Sequence, residues 1–328
     1  MYLRRILASG LATAMLAGAG SLPVSAAEFE ATLAQNLSPI SGVTIIAKAK
    51  GFFETNGLDI TVSNFTSGKQ SLNAVLGGAA EIATTAEAPT TAAAMSKQPI
   101  AFLARMEYSD LKTLTRTGAG IKTAAELKGK KLAFTAGTGS EVYTMALLKK
   151  AGLTKDDVVL TNLRPQDMLP ALSSGDIDAY NTWEPHIANG KKALGDKVYQ
   201  IDTAGVYSET FNIVVMQDYL KENPKLVRAF LSAMLEAEAW MKSNREEAIT
   251  TISTVVGMKR DTLASLWDDY VYNVVLDQRQ IDVLTAHAAW RLDSGNHPPG
   301  ATMPDFSKVI FPEPLREIAP ERVTLGGY

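Results

Sequence analysis

A five-residue pattern occurs twice in this chain, 97 positions apart, and it constrains the fold more than any other feature. The residues Leu72, Ala74, Gly78, Thr85 and Glu87 recur in the same order as Leu169, Ala171, Gly175, Thr182 and Glu184. Each copy has the pattern of a helix, a turn of small residues, a short apolar strand, and a Thr-x-Glu sequence with a proline after it. Self-similarity at a fixed spacing indicates an internal duplication. The repeat therefore predicts two similar α/β lobes, each with a glutamate at a strand end.

The N-terminal residues have the pattern of a secretory signal peptide. Arg4 and Arg5 give a basic start, and residues 6–20 form an apolar run that is too short for a membrane-spanning helix. Residues 24–26 then fit the small-x-small pattern of a cleavage site. We expect residues 1–27 to be a cleavable signal peptide; a retained membrane anchor is the alternative.

The chain contains no cysteine, which excludes a lipid-modified cysteine, disulfides and cysteine-ligated metals. Together with the signal peptide, this predicts a periplasmic protein that is not lipid-anchored. The formal net charge is only −3, and the basic residues form no cluster, so we expect no nucleic-acid partner. The length that remains after the signal suits two domains of modest size.

Strands and helices alternate through the first two-thirds of the sequence, which predicts a mainly parallel sheet covered on both faces. Extended segments near residues 115–118 and 204–212 indicate two crossings between lobes. We expect one lobe to contain residues 28–115 and 213–328, including long C-terminal helices, and a second lobe to contain residues 116–212. A single eight-unit barrel is the alternative, and the helix-rich C-terminal third argues against it.

Several segments resemble the substrate-binding proteins of ABC importers for sulfonates, taurine, nitrate and thiamine-precursor pyrimidines. The segments that carry this resemblance, in order, are Gly51-Phe52-Phe53-Glu54, Gly57-Leu58-Asp59-Ile60, Ser67-Gly68, residues 76–82, residues 127–133, and residues 171–179 with Trp183-Glu184-Pro185. The resemblance covers roughly residues 29–220 and implies a periplasmic-binding-protein fold of type II-like topology. It implies two α/β lobes, a two-strand hinge and a ligand in the cleft. It also implies a monomer that delivers a small molecule to a membrane permease with a cytoplasmic ATPase, and no cofactor.

One candidate site lies where a strand leads through a glycine-rich turn into a helix. The residues of this turn are Gly137, Thr138, Gly139 and Ser140. The free N–H groups of a helix N-terminus favour an anionic group, and glycine lets a ligand approach the backbone. Ser67 and Gly68 are the equivalent candidates in the first lobe. Simple helix capping by the hydroxyl groups is the alternative.

The duplicated glutamates, Glu87 and Glu184, are the second candidate. A carboxylate in a closing cleft is costly unless it meets a cation or N–H donors, so the pair would select a ligand with an ammonium, an amidine or several N–H groups. The alternative is that both glutamates stabilise helix N-termini, because a proline soon follows each of them.

Further residues are expected to line the cleft because they follow strands or flank the crossings. The carboxyl ends of strands in open α/β sheets face the ligand. Trp183 could stack on a ligand, although a packing role is as plausible for an aromatic residue. The residues in this group are Asn36, Leu37, Ser38, Met106 with its neighbours Glu107 and Tyr108, Asn181, Trp183 and Tyr207.

Enzymatic readings have little support in the sequence. The three histidines, His186, His287 and His297, have no metal-binding spacing, so we expect no metal. A nucleophile elbow and a Walker loop are also missing. An acid/base pair formed by Glu87 and Glu184 stays open as an alternative. We expect a solute-binding protein for a small polar compound that contains nitrogen or sulfur. Taurine-like aminosulfonates are the first candidates and aminopyrimidines the second.

Overall fold

The structure is a computed structural model that describes residues 28–326; the predicted signal peptide lies outside the described residues. The strands are β1 Phe29–Asn36, β2 Leu58–Phe65, β3 Ile82–Ala86, β4 Ile100–Asp110, β5 Lys112–Arg116, β6 Lys131–Phe134, β7 Val159–Asn162, β8 Ala179–Thr182, β9 Val198–Gln200, β10 Ser208–Met216, β11 Val271–Asp277 and β12 Val323–Thr324. The helices are α1 Gly42–Ala49, α2 Phe52–Thr55, α3 Gly68–Leu76, α4 Glu87–Met95, α5 Gly139–Lys150, α6 Pro165–Ser174, α7 His186–Leu194, α8 Gln217–Glu222, α9 Pro224–Ser243, α10 Arg245–Val255, α11 Arg260–Leu266, α12 Gln278–Ser294 and α13 Glu313–Ile318.

Two separate sheets form the cores of two lobes. The first sheet has the strand order β12-β11-β4-β10-β3-β1-β2, and the second has the order β7-β6-β8-β5-β9. In the first sheet β3 pairs parallel to β1 and antiparallel to β10. In the second sheet β8 pairs parallel to β6 and antiparallel to β5. The two copies of the sequence repeat therefore occupy equivalent positions, and Glu87 and Glu184 both follow the equivalent strand.

The chain crosses between the lobes twice. The first crossing is at Leu111, between β4 of the first sheet and β5 of the second. The second precedes Ser208, where β10 begins and returns to the first sheet. Of the two predicted lobe boundaries, residue 115 lies within β5 and residue 212 lies within β10. Both crossings lie beside the cleft, so bending there would change the distance between the lobes.

The C-terminal helices pack on the first lobe. Helix α9 lies against α1 and α2, and α12 crosses α4. Phe53 and Phe230 stack with their ring centroids 5.2 Å apart, and both side chains are fully buried. Burial of such aromatic side chains dominates core energetics and fixes the long helices on this lobe.

Strand β11 was not predicted from the sequence pattern. This strand extends the first sheet beyond β4 through antiparallel pairs such as Tyr272 with Glu107. None of the helices within residues 28–326 has the length and apolarity that a bilayer-spanning helix requires.

Candidate functional site

The cleft between the two lobes is closed by direct polar contacts. Its walls come from the carboxyl ends of the parallel strands in each sheet, where open α/β sheets bind ligands. The hydrogen bonds across it run from Ser38 Oγ to the Glu184 carbonyl (3.4 Å), from Lys69 Nζ to the Ala136 carbonyl (3.2 Å), from Lys112 Nζ to Asp269 Oδ2 (2.6 Å) and from Asn296 Nδ2 to Glu141 Oε1 (2.9 Å). The contacts are spread over the whole cleft, so the structure corresponds to a closed arrangement of the lobes.

The glycine-rich turn that leads into α5 forms part of the cleft wall. Thr138 and Ser140 are buried, and Thr138 caps the helix by accepting a hydrogen bond from the Ser140 N–H (3.2 Å). The Gly137 N–H donates to Glu141 Oε2 (2.8 Å), and the Glu141 N–H donates to the Thr138 carbonyl (3.1 Å). Capping, the alternative for these residues, therefore occurs, and it uses several of the N–H groups that an anion would need.

A further N–H group of this turn faces the opposite lobe. The carboxylate of Glu209, at the start of β10, lies beside Gly139, and the Gly139 N–H lowers the pKa of that carboxylate against the raising effect of burial. The two residues are so close that a Cβ on Gly139 would collide with the Glu209 carboxylate. A carboxylate of the protein itself thus occupies the position predicted for an anionic ligand group at the positive end of the helix dipole.

The equivalent turn of the first lobe is tightly packed. Ser67 is buried and caps α3 by accepting a hydrogen bond from the Gln70 N–H (3.4 Å). Gly68 lies against the backbone of β3 and the ring of Phe211, both 3.0 Å from the position of a Cβ. The glycine is therefore explained by a close approach within the first lobe.

Glu87 is fully buried, and its partners lie in the first lobe. Its Oε2 accepts hydrogen bonds from the Thr210 N–H (2.7 Å) and the Thr210 hydroxyl (2.9 Å), while Oε1 lies 3.7 Å from His287 Nε2. Burial raises the pKa of Glu87 to about 7, against the lowering effect of its hydrogen bonds. Burial also lowers the pKa of His287 to about 3, so the imidazole is neutral and Glu87 has no cationic partner there.

Glu184 is buried at the cleft and has a cationic partner. Lys112 Nζ lies 3.0 Å from Glu184 Oε1, and the same ammonium bridges to Asp269 of the first lobe. The Ala188 N–H donates to Glu184 Oε2 (2.9 Å) in the first turn of α7. Glu184 therefore stabilises a helix start and an ion-pair network that links the lobes.

A group of side chains shares one face of β4, β10 and β11 on the first-lobe side of the cleft, and we call this group the chamber. Its members are Glu107, Ser109, Glu209, Phe211 and Tyr272, and strand register places them together: Glu107 lies opposite Phe211 and Tyr272, and Ser109 opposite Glu209. Burial raises the pKa of Glu107 and of Glu209 well above the usual range. Glu209 raises the pKa of Glu107 further, while the Ser109 hydroxyl lowers it by donating a hydrogen bond to Glu107. The chamber thus holds two neighbouring carboxyl groups.

Aromatic side chains adjoin the carboxyl groups of the chamber. The rings of Tyr270 and Tyr272 stack at 5.9 Å, and Trp267 lies 5.3 Å from Tyr272. Tyr272 donates to the Pro39 carbonyl (2.7 Å), which fixes its ring. The Tyr270 hydroxyl is buried and has no hydrogen-bond partner within residues 28–326. Such a combination of aromatic faces and carboxyl groups suits a cationic or N–H-rich group.

The other predicted site residues lie at different depths around the cleft. Leu37 is 39% exposed and lies at the rim, whereas Asn36 is buried and its N–H donates to Thr84 Oγ1 (3.0 Å). Trp183 is buried and makes an edge contact with His186 (6.1 Å between centroids). These residues remain candidates for the wall of the cleft.

Three predicted residues have their contacts away from the chamber. Met106 is fully buried in the hydrophobic core of the first lobe, because its side chain lies on the opposite face of β4 from Glu107. Asn181 is buried in the second lobe, where Oδ1 accepts from the Thr113 hydroxyl (2.7 Å). The Tyr207 hydroxyl lies 3.1 Å from His287 Nε2, in a groove between α5 and α12.

Glu209, Tyr270 and Tyr272 were not among the residues predicted from the sequence, and Glu107 was predicted only as a neighbour of Met106 in the cleft wall. A signal for the two glutamates existed, because each lies near the cleft end of a strand, as Glu87 and Glu184 do. Within residues 28–326 no group of three His, Cys, Asp or Glu side chains could hold a metal ion.

Two cavities open at the edges of the closed cleft. One of about 450 Å³ lies between Lys69, Pro89 and Arg291 of the first lobe and Glu141 of the second. The other, of about 290 Å³, lies between the α3 turn and the start of α6. Lys69 lines both cavities, so its bridge to the Ala136 carbonyl separates them.

Comparison with known proteins identifies relatives that are named as binding proteins. The chain is 27% identical, over 68% of its length and 71% of the relative's, to an Escherichia coli (strain K12) protein named for the binding of aliphatic sulfonates. It is 24% identical to the taurine-binding periplasmic protein of the same organism, over 71% of this chain and 75% of that protein. Both relatives are named as binding proteins, and the second is named as periplasmic.

Solved structures confirm the periplasmic-binding-protein fold. The periplasmic aliphatic sulphonate binding protein SsuA from Escherichia coli superimposes with a TM-score of 0.73 at 22% identity, over 85% of this chain and 96% of that one. The periplasmic nitrate-binding protein NrtA from Synechocystis PCC 6803 superimposes with a TM-score of 0.76 at 17% identity, over 90% and 89%. Residues 39–248 match the family described as NMT1/THI5 like. The chain therefore belongs to the NMT1/THI5-like family, as its sequence motifs predicted.

Proposed function

We propose that this protein is the solute-binding component of an ABC importer in the periplasm. It captures a small polar organic compound that contains nitrogen or sulfur, closes its two lobes over it and delivers it to a membrane permease. The names of its relatives, which refer to aliphatic sulfonates, taurine and nitrate, support this class of role. The geometric observation that carries the proposal is the set of hydrogen bonds across the cleft.

Those hydrogen bonds can form only when the lobes are closed. Ser38, Lys69 and Asn296 reach the second lobe at three separate places, whereas the chain itself joins the lobes only at the two crossings. Hinge closure around a ligand is a known mode of motion for two-lobed binding proteins. The closed form is then the one that a permease would recognise.

Two ligand types fit this role. A taurine-like aminosulfonate would place its ammonium near a glutamate and its sulfonate near a helix N-terminus. An aminopyrimidine would offer several N–H donors and a flat ring. The chamber favours the second type, because it combines Glu107 and Glu209 with tyrosine rings and sets the Glu209 carboxylate against the start of α5.

A thermal-shift screen tests the role. The mature protein, residues 28–328, is heated with sulfonates, aminosulfonates, aminopyrimidines, amines and simple anions. A ligand at 100 times its Kd should stabilise the fold by about 2.7 kcal/mol. Stabilisation by a nitrogen- or sulfur-containing organic compound, without turnover of that compound, supports the proposal. Stabilisation by none of these classes, or turnover of the compound that binds, contradicts it.

A further inference from the structure

The chamber contains carboxyl groups that the protein does not neutralise. Neither Glu107 nor Glu209 forms an ion pair with any side chain in residues 28–326, although both are at least 96% buried. Lys112 bridges Glu184 and Asp269. Arg105 lowers the pKa of Glu107 through its charge, but the contact of its guanidinium is with Asp277 (2.5 Å from Nη2 to Oδ2). Burial of a carboxylate without a cation costs free energy, so these two groups are either protonated or paired with a cation from outside the protein.

The polar atoms without partners are a second, independent sign. Glu107 Oε1 is buried and has no hydrogen-bond partner within residues 28–326, and the buried Tyr270 hydroxyl has none either. Burial raises the pKa of Tyr270, and Glu184, Tyr272 and Glu107 raise it further, which places its hydroxyl near these carboxyl groups. Buried polar atoms in native proteins are nearly always paired, so such atoms indicate a missing group. An unpaired carboxylate oxygen would be satisfied by a hydrogen-bond donor.

Glu209 also alters the charge at the N-terminus of α5, on the second-lobe side of the cleft. Its carboxylate lies against Gly139 and faces the N–H of that residue, while the N–H groups of Gly137 and Ser140 are bound within the turn itself. A sulfonate, nitrate or carboxylate placed there would have to displace Glu209 and would meet its negative charge. The helix N-terminus that would suit an oxyanion is therefore covered by the protein's own carboxylate.

We propose that Glu107 and Glu209 select the charge of the ligand: the cleft takes a small planar compound with a cationic, N–H-rich head, such as an amidinium or a protonated aminoheterocycle, and excludes simple oxyanions. The head lies against Glu107 and Glu209, and the flat body lies along Tyr270 and Tyr272. This inference rests on the proposed importer function and narrows its ligand class. It departs from the sulfonates and nitrate after which the relatives are named.

Benzamidine and benzoate provide the test, because they have nearly the same shape and opposite charges. The Kd of each for the mature protein is measured by competition with whichever compound of the thermal-shift screen binds. We expect benzamidine to bind at least about tenfold more tightly than benzoate, a difference of about 1.4 kcal/mol. Equal binding, or tighter binding of benzoate, overturns the inference. Absence of any ligand in the screen would instead contradict the importer function, so the two failures are distinguishable.

Variants then assign the selectivity to the two glutamates. Glu107→Gln and Glu209→Gln keep the side-chain shape and should each lower the benzamidine preference at least about tenfold. Glu209→Ala also uncovers the Gly139 N–H and should gain affinity for benzoate. Glu30→Gln, an exposed glutamate on β1, is the matched control and should leave the ratio unchanged. If circular dichroism shows that one Gln variant is unfolded, the ratio of benzamidine to benzoate affinity in the other variant decides the test. A ratio unchanged in the folded variants overturns the inference.

Discussion

The carboxylate of Glu209 in the first lobe lies against Gly139 of the second lobe, so closely that a Cβ placed on Gly139 would be 2.4 Å from Glu209 Oε1. This contact joins the start of β10 to the first turn of α5, directly across the cleft. It can exist only when the lobes are closed, and it gives Gly139 a reason to be glycine. The backbone there does not have a positive φ, so the requirement is space and not conformation.

Gly139→Ala should therefore prevent full closure while leaving each lobe folded. The new Cβ would collide with the Glu209 carboxylate, whereas alanine is the better helix former within α5. We expect the affinity for any cleft ligand to fall at least about tenfold, measured by calorimetric titration. Gly118→Ala is the control, because its Cβ meets only the end of the Arg116 side chain. Wild-type affinity in Gly139→Ala would show that closure does not need this approach.

Glu87 should give the fold a measurable pH dependence. Its pKa is raised by burial from the usual 4.5 to about 7, so the folded state holds a proton that the unfolded chain has lost. The resulting stabilisation is complete below about pH 4.5 and is lost as the pH rises through about 7. At 1.36 kcal/mol per pKa unit, it amounts to about 2.5 kcal/mol between about pH 5 and pH 8.

The comparison needs a Glu87→Gln variant, since the buried histidines act in the opposite direction. Burial lowers the pKa of His287 to about 3 and of His186 to about 4, and both destabilise the fold as the pH falls below 6.5. Urea unfolding of both proteins from pH 5 to pH 8 isolates the contribution of Glu87. We expect the wild type to lose stability relative to Glu87→Gln as the pH rises; parallel curves would refute this.

Lys112 should matter more to stability than its partner Asp269. The Lys112 ammonium is mostly buried, and it compensates Glu184, whose side chain is only 4% exposed. Lys112→Met leaves that buried carboxylate without a cation and should cost about 3 kcal/mol in urea unfolding. Asp269 is 42% exposed, so Asp269→Asn should cost about 1 kcal/mol or less. Equal losses in the two variants would show that Glu184 does not depend on Lys112.

The architecture could be predicted from local patterns, because its signals are short-range. The repeat around Glu87 and Glu184 anticipated two equivalent helix-strand-helix units, and the structure places β3 and β8 at equivalent positions in their sheets. The glycine-rich turn before α5 also predicted a helix start at Gly139. In each case, turn residues and apolar periodicity within a few positions determine the local structure.

The chamber could not be predicted in the same way. Glu107 and Glu209 are neighbours because β4 and β10 pair antiparallel, although the whole second lobe lies between these strands in the sequence. Tyr272 joins them through the pairing of β11 with β4. That register is set by long-range pairing, and a shift of one residue would turn these side chains to the other face. Met106 illustrates this dependence: it precedes Glu107 directly and lies in the core on the opposite face.

The distance between the lobes during ligand binding tests the central claim most directly. The chain has no cysteine, so Asn73→Cys on α3 and Gln166→Cys on α6 provide exposed, unique sites for spin labels in the two lobes. We expect a broad distance distribution without ligand, and a shorter, narrower one when a compound from the thermal-shift screen is added. A distribution that stays unchanged while that compound binds would contradict the account, because the ligand would then bind without closing the lobes.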